Sequence, residues 1–271
     1  MLPVFYYLCA ESDLTEMKVY RILAAASAAL LLLAGCTHEM KTAVTADEGK
    51  YPMPGGYDAS MSYSYDMQYI TGGVPKQVMD KVNGYLADRI YFESEDAPAD
   101  VPEACRLWVD ALISDYEADT VDFAEDYDAE ESWMFNWSFG ISGTFESACR
   151  ARNWQTYAFT YDDYTGGAHG IYEQSYAVFD MKTGERIQED DFLDTEAEEL
   201  LDMIYDRILE NLDEDMWDAI YEVPTLNGNF TVDDRGVCWV YNPYEIAPYA
   251  LGSLDAFLTW DELSPFLIAV G

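Results

Sequence analysis

Positive charge is what this sequence has least of. Its 14 lysines and arginines face 52 aspartates and glutamates, for a net charge of −38. No basic patch exists to neutralise phosphates, which excludes nucleic acid as a partner. The same field repels anionic lipid headgroups and attracts cations and basic proteins. Histidine is nearly missing, with only His38 and His169 present. A single histidine in the folded region cannot make the usual zinc site, and as a general base it has no evident nucleophile to activate. The five cysteines include no C-x-x-C pair, which argues against zinc and thioredoxin-like chemistry. Also missing are a nucleophile elbow, a lysine-bearing phosphate loop and an EF-hand ligand ladder. No cofactor or metal is expected, and no catalytic residue is assigned.

What is present begins near the N-terminus with "MKVYRILAAASAALLLLAGC", residues 17–36. Lys18 and Arg21 form a basic n-region, and residues 22–33 are an apolar run of signal-peptide length. That run is short of the roughly 20 residues a bilayer-spanning helix needs. Leu33-Ala34-Gly35-Cys36 resembles the bacterial lipobox. The resemblance implies that Cys36 is lipidated, that the preceding peptide is removed, and that the chain is anchored to a membrane in the bacterial envelope. Residues 1–16 place Glu11, Asp13 and Glu16 where a signal peptide is basic, so Met17 is the expected start and 1–16 a misassigned one. Removing residues 1–35 takes away those three acids with Lys18 and Arg21, leaving a net charge of −37. Residues 36–56 read as a lipidated tether. Cys105, Cys149 and Cys238 then remain for at most one intramolecular disulfide.

About half of the residues are hydrophobic and 15% are aromatic, enough for a substantial core. The acidic runs at 115–131 and 189–218 read as solvated faces. Residues 57–70 alternate strictly, with Tyr57, Ala59, Met61, Tyr63, Tyr65, Met67 and Tyr69 on one face of a half-buried strand. Pro75 opens a helix whose stripe is Val78, Val82, Tyr85, Leu86 and Ile90, and a second helix follows Pro102. The alternation strengthens over 133–146, where Trp133, Phe135, Trp137, Phe139, Ile141, Gly143 and Phe145 share a face. Further strands are expected at 153–161, 171–180, 229–232, 237–241 and 254–258. Thr195 with Glu198, and Thr259 with Glu262, have capping-box spacing. Meandering strands interrupted by helices predict α+β, with an antiparallel sheet and packed helices.

The stretch "DDYTGGAHG", residues 162–170, joins two aromatic strands. Its adjacent glycines suit the positive φ of a hairpin connection, which is its first reading. Its second reading is a surface recognition point at Asp162, Asp163 and His169. "YDDYTGGAHG", "YAVFDMKTGERIQEDDFL" and "WVYNPYEIAPYALGSLDAFLTWDEL" resemble the extracytoplasmic domain of RsiV-type anti-sigma factors. That module also accompanies PdaC-type peptidoglycan deacetylases and occurs in bacterial lipoproteins. The resemblance spans about residues 57–268, and its most specific parts are Gly166-Gly167-Ala168-His169 and residues 242–252. It implies an α+β fold whose smaller N-terminal part, 57–130, is completed by a larger part, 131–271. In the anti-sigma factors the module binds lysozyme, a basic protein, which suits so acidic a chain. With no transmembrane helix, sigma-binding segment or deacetylase domain read here, neither gating nor deacetylation is expected to carry over.

The expected function is a membrane-anchored envelope lipoprotein whose domain binds a basic protein or a peptidoglycan ligand without catalysis. The alternative is an envelope hydrolase or carbohydrate-modifying enzyme that uses paired carboxylates. Besides Cys36 for the lipid, the candidate ligand-binding residues are Asp162, Asp163, Tyr164, His169, Tyr244 and Glu245.

Overall fold

The computed structural model describes residues 39–55, 57–91, 98, 100–123 and 134–268. The expected signal peptide and its Cys36 lie outside these residues, as does Trp133. The described residues form one compact unit. Its larger sheet has six strands in chain order: β1 (Lys41–Pro52), β2 (Ser60–Gly72), β3 (Trp137–Cys149), β4 (Trp154–Tyr164), β5 (Ile171–Asp180) and β6 (Arg186–Ile187). Every neighbouring pair is antiparallel except β2 and β3, which run parallel. A parallel pair needs a crossover, here supplied by helices α1 (Lys76–Ile90) and α2 (Val101–Phe123). β2 and β3 thus share a ladder across the boundary expected near residue 130.

The helices cover one face of this sheet. Val78, Val82 and Leu86 of α1 pack with Met67, Ile141, Tyr157 and Phe179, all buried. A smaller core joins Tyr116 of α2 to Met53 and Met61. The second sheet is antiparallel and comprises β7 (Phe230–Val232), β8 (Gly236–Tyr241) and β9 (Leu254–Thr259). With α3 (Glu198–Glu210), it closes the third core around Trp239, Phe230, Leu258, Ile204 and Ile208, which takes in Trp154 and Val178 of the larger sheet.

Two sequence expectations need correction. The supposed tether is largely β1, paired with β2 from Lys41 opposite Gly72 to Pro52 opposite Ser60. As an edge strand wetted on both faces it needs no apolar alternation, and its charges and terminal proline suit an edge. The Thr195 capping box does not form. Asp194 donates its N–H to Phe266 O and Leu193 bridges Leu267, so α3 begins later, after Ala197, with no side-chain cap.

The Thr259 box does form, at α4 (Trp260–Leu263). Glu262 Oε2 accepts from the Thr259 N–H at 2.8 Å and hydroxyl at 2.7 Å, and Oε1 accepts from Arg207 Nη2 of α3 at 2.8 Å. The Thr259 donors first, and then the guanidinium, hold the Glu262 carboxyl down at about 2. Its folded pKa lies below the unfolded value of about 4.3, so the stabilisation is fully present above that value and is lost as pH falls toward 2. Glu262→Gln should lower the urea midpoint at pH 6, and the gap to wild type should close between pH 4.3 and 2. A gap unchanged across that range would remove the carboxylate from the account.

The β4–β5 connection is the expected hairpin. Gly166 and Gly167 both have φ +95°, and a Cβ on Gly167 would meet nothing within 4 Å. The cost of a side chain there is conformational alone. Gly167→Val should cost about 1–3 kcal/mol in urea unfolding, and Gly167→Asn distinctly less because asparagine tolerates positive φ. Equal losses would show that something other than backbone strain is at work.

Candidate functional site

The two most specific motifs meet at one end of the larger sheet. The first is the hairpin after β4. The second is the loop between β8 and β9, which starts as a turn at Asn242-Pro243-Tyr244-Glu245. Glu245 N donates to Asn242 O at 3.0 Å, and the Glu245 carboxylate accepts from the Asn242 N–H. Pro243 occupies the position that favours proline, and Tyr244 takes a φ of +72° that this turn ordinarily gives to glycine. Tyr244 N donates to Ala247 O at 3.0 Å, and Tyr221 Oη donates to Tyr244 O at 2.7 Å. The strained backbone is thus fixed from both sides.

Asn242 also docks this loop onto β5. Its Oδ1 accepts from Gln174 N at 2.8 Å and its Nδ2 donates to Gln174 O at 3.0 Å. Asn229, just before β7, does the same one step along, accepting from Tyr176 N at 2.9 Å and donating to Gln174 O at 3.0 Å. The sequence reading missed these asparagine roles. The signal available was an asparagine beside each end of the β7–β8 hairpin.

So held, the loop places Tyr249 under His169, their rings 4.0 Å apart and 15° from parallel. Tyr244 Oη lies 3.4 Å from His169 Nε2, and its ring is 5.7 Å from that of Tyr249. Tyr172 packs edge-on to Tyr249 at 6.3 Å, its hydroxyl accepting from Ser253 N. Tyr244 is 56% exposed, Tyr221 53% and Ile171 56%. The result is an exposed aromatic cluster on a fixed backbone.

The other expected site residues point elsewhere. Asp162 lies on the opposite sheet face against Gly140, where a Cβ would collide with its Oδ1. Asp163 faces the helices and accepts from Tyr161 Oη at 2.8 Å, and burial first, then this carboxylate, pushes the Tyr161 phenol up. Tyr164 Oη closes the hairpin on Gly167 O at 3.1 Å. Glu245 caps its own turn. Of the six, His169 and Tyr244 come together; Asp162, Asp163, Tyr164 and Glu245 do not join them. His169 Nδ1 is 2.9 Å from Gly170 O, so the ring sits among a carbonyl and tyrosines.

Among the described residues no group of three or more His, Cys, Asp or Glu side chains is placed to hold a metal. Cys105, Cys149 and Cys238 are all thiols. Burial pushes the Cys105 thiol up to about 12 and raises that of Cys149, the opposite of what thiolate chemistry needs. No helix among the described residues is long and apolar enough to cross a membrane.

Residues 189–261 match the family described as a protein of unknown function, DUF3298. No curated protein matches the sequence. A solved DUF3298-family structure from Bacteroides fragilis is 19% identical, with a TM-score of 0.73, over 86% of this chain and 95% of that one. A second, from Pseudomonas aeruginosa, is 16% identical with a TM-score of 0.56, over 86% of this chain and 97% of that one. The chain therefore shares its fold with these two proteins, and its DUF3298 match includes the docking asparagines and the whole 242–252 loop.

Proposed function

We propose that this protein is a lipoprotein of the bacterial cell envelope, anchored through Cys36, whose domain binds a basic protein of the lysozyme type and performs no catalysis. One observation carries the reading. Two loops far apart in sequence present an exposed, rigid aromatic cluster, His169, Tyr244 and Tyr249, in a chain of charge −38. Tyrosines held in this way give large contact area at low entropic cost, the usual make-up of a binding hot spot. The acidic field speeds encounter with a cationic partner, and the aromatics supply what survives salt. The resemblance to RsiV-type modules supports the partner class. No specific observation favours a hydrolase; Glu146, a carboxyl held above its usual range, is raised by burial alone, with no second carboxyl contributing.

Salt separates steering from recognition, because the Debye length falls from about 30 Å at 0.01 M to about 8 Å at 0.15 M. Lysozyme should remain bound at 0.15 M while an unrelated basic protein of similar size is lost. Equal binding of both, vanishing together, would reduce the acidity to a solvated surface. Tyr244→Gly should relieve the strained φ, leaving the melting temperature at or above wild type. It should nevertheless weaken lysozyme binding tenfold or more. Unchanged affinity in that variant would move the binding surface elsewhere.

The anchor has its own test. The wild-type protein should incorporate labelled fatty acid, and Cys36→Ser should abolish incorporation and processing. Label retained in the variant would mean that Cys36 is not the lipidated residue.

A further inference from the structure

A cleft of about 380 Å³ opens between α1, β5 and the segment before β7, within the size range of small-ligand sites. Its walls include Tyr85, Arg89, Phe159, Glu173, Arg186 and Asn227. Two of the chain's 14 basic residues converge on it. Arg89 is already engaged, donating to Glu173 Oε1 at 3.2 Å and Ser175 Oγ at 3.3 Å while lying over the Phe159 ring. Arg186 is not. Its Nη2 donates to Gly228 O at 3.2 Å and its guanidinium lies 5.6 Å from the Tyr85 ring centroid, but its Nε is buried with no acceptor among the described residues.

No carboxylate among the described residues forms an ion pair with Arg186. With 52 acidic residues available, this runs against the odds of composition. The nearby acids are committed elsewhere: Glu173 to Arg89, Glu189 to the Gly228 N–H, and Glu245 to the Asn242 N–H. Arg186 is half-buried, and an N–H withdrawn from water without an acceptor, as its Nε is, is costly. The terminal Nη1–Nη2 edge of the planar fork fits a carboxylate in two-point contact, and the faces of Tyr85 and Phe159 suit a flat or apolar body beside it.

We infer that this cleft binds a small organic carboxylate, with Arg186 as the residue that pairs with the anionic group. The site is distinct from the exposed aromatic cluster and stands or falls independently of the partner proposed there. A sugar acid and a peptide C-terminus present the same group, and matched probes tell them apart. N-acetylmuramic acid is compared with N-acetylglucosamine, which lacks the carboxylate. N-acetyl-alanyl-alanine is compared with its C-terminal amide.

The measurement is a titration of the full-length protein in nonionic detergent, followed by calorimetry and by the arginine side-chain N–H resonances. At least one acid should bind tenfold or more tightly than its neutral counterpart, and the Arg186 Nε–H resonance should move as it binds. Arg186→Met, which keeps a long apolar stem, should lose that preference, and Arg186→Lys should keep part of it. The side-chain resonance reads the wild-type protein, so the test holds even if a variant fails to fold. Acids that bind no better than their neutral partners, or an Arg186 resonance that stays still at saturation, would overturn the inference.

Discussion

The arrangement of the two sheets depends on how the outer edge of β5 is satisfied. β6 reaches only Val178 and Phe179, which leaves the outward N–H and C=O of Gln174 and the N–H of Tyr176 without a strand beside them. Buried backbone groups cannot be left unpaired, since each orphan costs about as much as a lost hydrogen bond. The amides of Asn229 and Asn242 take all three places, and Gln174 O accepts from both. These asparagines flank β7 and β8, so satisfying β5 also fixes the second sheet against the first. The stack of His169 on Tyr249 follows from that docking, because the loop that carries Tyr249 begins at Asn242.

Local patterns in the sequence showed much of this, and long-range ones did not. The alternation in β2 and β3, the Thr259–Glu262 box and the glycine hairpin are each written within a few residues, and each formed as expected. β1 was missed because an edge strand is recognised by its partner's free edge and not by its own faces. The Thr195 box failed for a related reason: a short-range preference lost to the Leu193–Leu267 bridge, made with a segment more than 70 residues away. The parallel β2–β3 pair was equally hidden, since orientation depends on where the α1–α2 crossover returns the chain. At the candidate site, His169 and Tyr244 were named from their motifs, but the contact between them is tertiary. Asp162 and Asp163 show the converse, for adjacent residues in a strand must point to opposite faces.

Strain at Tyr244 gains meaning in this frame. A tyrosine at φ +72° costs stability that glycine would not, and the surrounding hydrogen bonds to Ala247 and Tyr221 keep it there. The residue is more than half exposed, so core packing cannot be what the strain is exchanged for. Strained positions of this kind concentrate where a side chain must be presented in a fixed direction. The direction here is outward, beside the His169–Tyr249 stack.

The scarce cations show how so acidic a chain stays folded. Arg207 joins α3 to Glu262 and to Phe257 O. Arg152 lies between the rings of Trp154 and Trp260, at 4.9 and 4.8 Å. Lys81 ties α1 to Glu185, and Arg235 holds Asp233 in the β7–β8 turn. Several of the few cations thus sit at junctions between elements, while others, such as Lys76 and Arg106, pair within their own helix. Repulsion among the surplus acids opposes compaction, so the three apolar cores must carry the stability. Salt then acts in opposite directions on the two properties of the molecule. It screens self-repulsion and favours the fold, while it weakens the long-range attraction that would bring a basic partner to the surface.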